Sequence, residues 1–437
     1  MNVGKLARGD TALSEGRTGA MKSGLRDIFL LSVVFLAACN FRFTPTATPQ
    51  PTPTPPPPLR LTVAYLERGN LYLWREGDVT PQLITTNALS PIALAPDGQH
   101  VAFTRGQDGL QQTLWVVSAD GAFQQELVEI GDIPAQRSAS PIINTVDWLN
   151  ERAVYFNTAQ VYSWGRVNDN NLYRADIGTE RQAASEAPHL ILPPNAGGEF
   201  AFSPDRQHIA VVYPGQYDTE SGRVLILDLL GVEVRTALEF PAVSTASEVP
   251  FYPPLHWTPD SSMVRVPIPD RDLLYDEAVA PPVQVWHLPV EGESQIMGFL
   301  PASFGGLPRW SDRAGILLYG QRSNFAQGMY NLYIADADGA NAQPYADGSL
   351  EVLSARWIPG QDQFVFARGT ALMLGGRGVQ PQPLIDSIDQ WTLAGDHVIY
   401  TLTTSDISQL RYTRLNNSRQ STLIATVTEP IVFDAVP

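Results

Sequence analysis

The chain has 437 residues and carries 45 Asp and Glu against 29 Lys and Arg, a formal net charge of −16. With no basic cluster in the part that folds, this balance excludes the electrostatic footprint of a nucleic-acid binder and suits a protein kept soluble on a crowded surface. The single cysteine excludes a disulfide framework, and the histidines His100, His189, His208, His256, His287 and His397 show no paired spacing that would give a zinc signature; neither a metal nor a cofactor is expected.

Taken in chain order, the first informative segment is the apolar run Ile28 to Ala38, preceded by Lys22 and Arg26 and followed at once by the lone Cys39. The run holds about 11 residues, short of the roughly 20 that span a bilayer. With Leu36-Ala37-Ala38 before the cysteine, it resembles the lipobox of bacterial lipoproteins. The resemblance implies a signal peptide over 1–38, with Met21 as a sensible start. It also implies lipidation at Cys39 and a membrane anchor on the extracytoplasmic side of the cell envelope. From Phe43 to Pro58 the chain is almost entirely Thr and Pro. Proline fixes φ and lacks a donor, so the segment 39–58 is expected to run extended as a stalk, reaching up to roughly 50 Å.

The remainder, 59–437, is about 380 residues, more than one ordinary domain holds unless the fold repeats. It repeats. A short apolar strand ending in an aromatic or apolar anchor, a turn with Pro or Asp, and a second apolar strand recur at roughly 35 to 55 residues, the size of one propeller blade. The anchors are Leu94, Trp148, Phe202, Trp257, Trp310, Trp357 and Leu393. Third strands with period-2 patterning recur from Leu71-Tyr72-Leu73-Trp74 to Leu410-Arg411-Tyr412-Thr413 and outnumber the first strands by one. The first blade begins at its second strand, Leu61 to Leu66, and the tail segment Ile431-Val432-Phe433 supplies the missing inner strand. The expectation is an all-β propeller of four-stranded antiparallel blades, eight in number with seven as the alternative, closed by the C-terminal strand. The Ser-Pro-Asp turn at Ser203 to Asp205, and Leu-Tyr-x-Ala-Asp-x-Asp-Gly at Leu332 to Gly339, resemble the repeats of TolB-like propellers. That resemblance implies the same architecture over nearly all of 59–437.

Most residues that could carry chemistry read more simply as structure. Asp97, Asp205, Asp260 and Asp312 fall in first-to-second strand turns, where Asp bonds local backbone N–H groups. Asp336-Ala337-Asp338-Gly339 lacks the bidentate Glu of a calcium loop and reads as a hairpin. Gly375-Gly376-Arg377-Gly378 has no strand-loop-helix setting and reads as a turn. His256, beside Trp257 on an inner strand, is expected to be satisfied or solvated.

Length is distributed unevenly. Second-to-third strand loops and blade connections share one face of a propeller, and the loops 157–171, 213–222, 267–282 and 321–331 swell there in consecutive blades, as do the connections 131–141 and 241–254. Long loops on a rigid scaffold are where binding residues sit. The candidate binding face comprises Tyr162, Trp164, Arg166, Tyr217, Tyr252, Asp270, Asp272, Tyr275 and Phe325, types enriched at interfaces or accompanying them. The expected function is a lipid-anchored, monomeric, non-catalytic binding module for a protein or glycan. The alternatives are a propeller hydrolase or lyase acting on a polysaccharide or peptide, which a close pair of Glu220 with Asp270 or Asp272 would favour, and a structural subunit of an envelope assembly.

Overall fold

The computed structural model describes residues 60–437 apart from 108–109, 130, 135–138, 164, 179–186, 233, 244–249, 271–281, 302–307, 314, 325–328, 350–353, 405–406, 418–419 and 428–430. Cys39, the signal segment and the stalk lie outside the described residues. Pro58–Pro437 forms one compact unit of eight antiparallel sheets, each a blade.

The second blade sets the pattern. Its strands β4 (Leu89–Leu94), β5 (His100–Gln107), β6 (Leu110–Ser118) and β7 (Gln124–Val128) pair in sequence order from the innermost outward. The innermost strands of the following blades are β8 (Ser140–Trp148), β13 (Glu199–Phe202), β17 (His256–Trp257), β21 (Arg309–Trp310), β25 (Arg356–Trp357) and β29 (Trp391–Ala394). The first blade is assembled from both ends of the chain. β1 (Thr62–Glu67), β2 (Asn70–Arg75) and β3 (Gln82–Thr86) accept β33 (Val432–Val436) as the inner strand, antiparallel to β1 with Thr62 opposite Val436 and Leu66 opposite Val432. The count is therefore eight, and the tail closes the ring. Closure pairs the edge of β1 that would otherwise be bare, the liability that open sheets must blunt.

Second strands read as unbroken apolar runs because blades pack against both of their faces. In β14 (His208–Tyr213), Ile209 to Tyr213 are all buried. The core is correspondingly a series of interblade clusters, for example Trp148, Val154 and Phe156 of the third blade with Ala93, Ala102 and Val116 of the second. The aromatic anchors also tie blades by hydrogen bonds. Trp148 Nε1 donates to Ala93 O at 2.9 Å, Trp257 Nε1 to Ala201 O at 3.0 Å and Trp357 Nε1 to Arg309 O at 3.0 Å, each reaching the inner strand of the preceding blade. Trp310 departs from this rule and donates to Ala337 O within its own blade at 2.8 Å.

The turn aspartates do structural work, as their setting implies. Asp97, Asp205 and Asp260 each accept the N–H two residues on, from Gln99, Gln207 and Ser262, and Asp312 accepts from Gly360 N in the next blade. Asp336 holds Asn341 and Arg377, and Asp338 caps Ala340 N.

Three expectations need correction. The 157–171 loop is a fifth strand: β9 (Ala153–Tyr162) continues outward and β10 (Gly165–Asn168) folds back on it, Arg166 opposite Val161. The 321–331 loop is largely ladder, with Gln321 opposite Asn331 and Arg322 opposite Tyr330 in β22 (Leu317–Asn324) and β23 (Met329–Ala335). His256 is neither solvated nor fully satisfied. Its Nε2 is buried without a partner, and its ring lies 5.0 Å from that of Trp310. Burial, then Arg309 and Arg265, hold its pKa down at about 3.

Candidate binding site on the loop face

The site is built on the hairpin that the third blade adds to the loop face. Beyond β10 the chain turns through Asp169, whose buried carboxylate accepts from Thr158 Oγ1 at 2.5 Å and Gln160 Nε2 at 2.9 Å. Asn171 completes the lock, accepting from Thr158 N at 2.9 Å and donating to Thr158 Oγ1 at 2.7 Å. Burial raises the Asp169 pKa while these two side-chain donors oppose the shift. A buried network whose members all find partners rigidifies what it holds. Here it fixes Asn168 and Asn170, the latter in the left-handed region at φ 50°, which Asn tolerates better than most residues.

Both asparagines reach the connection between the fourth and fifth blades. Asn168 Nδ2 donates to the Tyr252 hydroxyl at 3.2 Å, and that hydroxyl donates to Asn170 Oδ1 at 2.6 Å. Opposite stands the start of β13. Gly198, at φ 153°, admits no side chain, because a Cβ there would meet Val212 O at 2.1 Å and the Tyr252 ring at 3.4 Å. Its carbonyl accepts from Asn157 Nδ2 at 2.8 Å. The next residue, Glu199, is thereby set beside Tyr252. Together with Phe200, Ala201, Pro253, Pro254 and Leu255 the two line a pocket of about 240 Å³. Burial raises the Glu199 pKa, the Arg166 charge partly offsetting it. Burial likewise raises the Tyr252 pKa, with Glu199 adding to the rise. A carboxylate perturbed by desolvation in a cleft is a functional-site signal.

Of the residues expected on this face, the structure brings Arg166 and Tyr252 together around Glu199. Tyr162 is half-buried at the end of β9, Tyr217 is exposed in the hairpin after β14, and Asp270 is exposed beyond β18 (Met263–Ile268); none of the three lines the pocket. Trp164, Asp272, Tyr275 and Phe325 lie outside the described residues. Glu220 accepts from the Tyr213 hydroxyl at 2.7 Å and pairs with Arg223 at 3.5 Å, within its own hairpin. Glu199, Asn168 and Asn170 were not singled out from the sequence. The available signals were the polar run Asn168-Asp169-Asn170-Asn171 and the glycine pair Gly197-Gly198 ahead of an inner strand. Among the described residues no group of three His, Cys, Asp or Glu is placed to hold a metal ion.

No protein-family model and no curated protein matches the chain. Solved structures similar to it include prolyl oligopeptidase B from Galerina marginata, at 12% identity and a TM-score of 0.49, covering 78% of this chain and 52% of that one. An oligogalacturonate lyase in complex with manganese is similar at 13% identity and a TM-score of 0.44, covering 68% and 78%. TolB from Acinetobacter baumannii is similar at 11% identity and a TM-score of 0.37, covering 86% and 81%. The chain thus spans about half the length of the oligopeptidase (52%). This chain's own architecture is a ring of eight antiparallel blades.

Proposed function

We propose that the protein is a non-catalytic, monomeric binding module of the bacterial cell envelope, anchored by a lipid on Cys39, which holds a sugar ring of a glycan at the Glu199–Tyr252 pocket. The observation that carries this reading is the convergence of Glu199 and Tyr252 on one pocket, with Tyr252 fixed by two asparagines from the neighbouring blade. Small-molecule sites usually occupy roughly 300–1,000 Å³; the smaller volume here suits one ring of a longer ligand. The carboxylate accepts from hydroxyls, the phenol and amides both donate and accept, and Phe200 with the prolines meets the apolar face of a ring. Among the described residues the lining holds one carboxylate, whereas glycoside hydrolysis ordinarily uses two, which favours binding over hydrolysis. An inserted protein side chain is the competing occupant.

The test is a titration of wild type and Glu199→Gln with a panel of mono- and disaccharides, and with short peptides as a second arm. Losing a charged acceptor costs about 1.5–3 kcal/mol, a factor of roughly ten to a hundred in affinity. The same substitution should stabilise the fold at neutral pH. A carboxyl whose folded pKa is raised binds its proton more tightly folded than unfolded, so wild-type stability declines as pH rises from the unfolded pKa through the folded one. Gln escapes that loss, and its advantage should disappear on acidification. Peptide binding without saccharide binding would replace the glycan with a protein partner, and equal affinity of wild type and Glu199→Gln would remove the pocket from the account. Anchoring is tested separately: Cys39→Ser should release the protein from the membrane fraction, and its retention there would contradict lipidation.

A further inference from the structure

Glu199 stands apart from the other carboxylates that burial perturbs. Asp147 accepts from Trp148 N at 2.7 Å, and Asp434 accepts from Leu94 N at 2.7 Å and Ala435 N at 2.9 Å. Asp169 accepts from Thr158 Oγ1 at 2.5 Å and Gln160 Nε2 at 2.9 Å, and Glu126 accepts from the Thr113 side chain. Each of the four is tied to the backbone or to a neighbouring side chain. Among the described residues no hydrogen bond and no ion pair reaches Glu199. A carboxylate drawn out of water without a partner costs free energy, so nothing in the fold accounts for a charge at this position.

The carboxylate is not sealed in the core. The buried side-chain atoms that lack partners belong to His and Arg side chains, whereas Glu199 opens on the pocket of about 240 Å³. Along β13, Glu199 and Ala201 point to the same side, and the small Ala201 leaves room next to the carboxylate. Among the lining residues Glu199 carries the only charge. Ala201, Pro253, Pro254 and Leu255 are apolar, and the Tyr252 hydroxyl is already turned to Asn168 and Asn170.

An ammonium group is the partner this arrangement lacks. Its charge-assisted N–H···O⁻ bond is about twice as strong as a neutral one, and the net charge of −16 draws cations toward the protein. A carboxylate or phosphate on the ligand would instead meet Glu199 with like charge. A sugar hydroxyl donates to Glu199 but leaves its charge uncompensated.

We propose, resting on the glycan reading of this pocket and deepening it, that the ring it holds is an amino sugar whose protonated amine donates to the Glu199 carboxylate.

The experiment is calorimetric titration of the full-length protein, at neutral pH and low salt, with glucosamine, glucose and N-acetylglucosamine. The three share a ring and differ at one carbon in carrying an amine, a hydroxyl or a neutral amide. A short lysine-containing peptide is the fourth arm. Glucosamine should bind about tenfold tighter than either neutral sugar, and raising the salt should narrow the margin. In Glu199→Gln glucosamine and glucose should bind alike, while Glu199→Asp, which keeps the charge, should retain part of the preference. Equal affinity of wild type for the three sugars, or a preference for a neutral one, would overturn the amine and leave the glycan reading standing. A preference for glucosamine that survives in Glu199→Gln would overturn Glu199 as its partner. Binding of the peptide but of no sugar, or no binding in any arm, would overturn both the amino sugar and the glycan reading.

Discussion

Removal of residues 431–437 should abolish the folded ring or lower its melting temperature by tens of degrees. The segment supplies the whole inner strand of the first blade, pairing five residues of β1. Ile431 is 2% exposed and joins Phe433 and Ala435 against Leu61, Val63, Ile399 and Leu410, so the tail cements the first blade to the eighth. On the other side Val436 packs with Leu94 and Val101 of the second blade, and Asp434 accepts from Leu94 N. At about 1 kcal/mol for each ladder hydrogen bond and about 1.5–3 kcal/mol for each well-buried apolar side chain, the loss is comparable to the 5–15 kcal/mol that holds an ordinary domain together. A peptide of residues 431–437 added to the truncated chain should restore part of the stability by re-pairing with β1. Should the truncated chain itself fail to accumulate, Phe433→Asp places a charge in the same seam and should unfold the protein at markedly lower denaturant. An unchanged unfolding midpoint for either variant would contradict closure by the tail.

The second large effect is expected at the blade anchors. Trp148 is 1% exposed, packed among Ala93, Ala102 and Val116, and its indole N–H satisfies Ala93 O at 2.9 Å. Truncating a buried Trp to Ala costs about 3–5 kcal/mol, and a buried carbonyl left without its donor costs about 1–3 kcal/mol more. Trp148→Ala should therefore lose at least about 4 kcal/mol in denaturant unfolding. Trp148→Phe, which keeps most of the ring contact and removes the donor, should lose about 1–3 kcal/mol. Similar losses are expected for Trp357, whose N–H reaches Arg309 O at 3.0 Å. A Trp148→Ala loss below about 1 kcal/mol would show that the anchors are not what joins the blades.

The ring was legible because the blades write one recurring signal: an anchor such as Trp148, Trp257 or Trp357, then a turn with aspartate, asparagine or proline, then an apolar strand. Closure was legible from the unequal numbers of first and third strands, which left Ile431-Val432-Phe433 without a blade of its own. The fifth strand of the third blade was not legible. Gly165-Arg166-Val167-Asn168 has too little apolar alternation to announce a strand, and it is held by the buried network of Thr158, Gln160, Asp169 and Asn171 rather than by its own pattern. The pocket was hidden for a related reason. Tyr252 stood out as an aromatic in a long connection, but its partner Asn170 lies 82 residues earlier and meets it only because neighbouring blades pack side by side. Glu199 is one carboxylate ahead of an apolar strand, and its burial comes from the blade connection folded over it. His256 was expected to be satisfied or solvated, but nothing in the sequence shows that its Nε2 is buried without a partner, its ring 5.0 Å from that of Trp310 in the next blade.

The central claim is that the partner is held on the loop face, and saccharide titration of a matched pair of variants, one on each face, tests it most directly. Arg206→Ala is unsuited to the turn-face arm, because Arg206 Nη1 donates to Trp148 O at 2.8 Å and its guanidinium covers Phe202 at 5.0 Å. Glu151, exposed in the turn after β8, is a cleaner control. With the saccharide panel as probe, Tyr252→Ala should weaken binding by about 2 kcal/mol, roughly thirtyfold, while Glu151→Ala binds as wild type does. Undiminished binding by Tyr252→Ala, or a loss confined to Glu151→Ala, would contradict the claim.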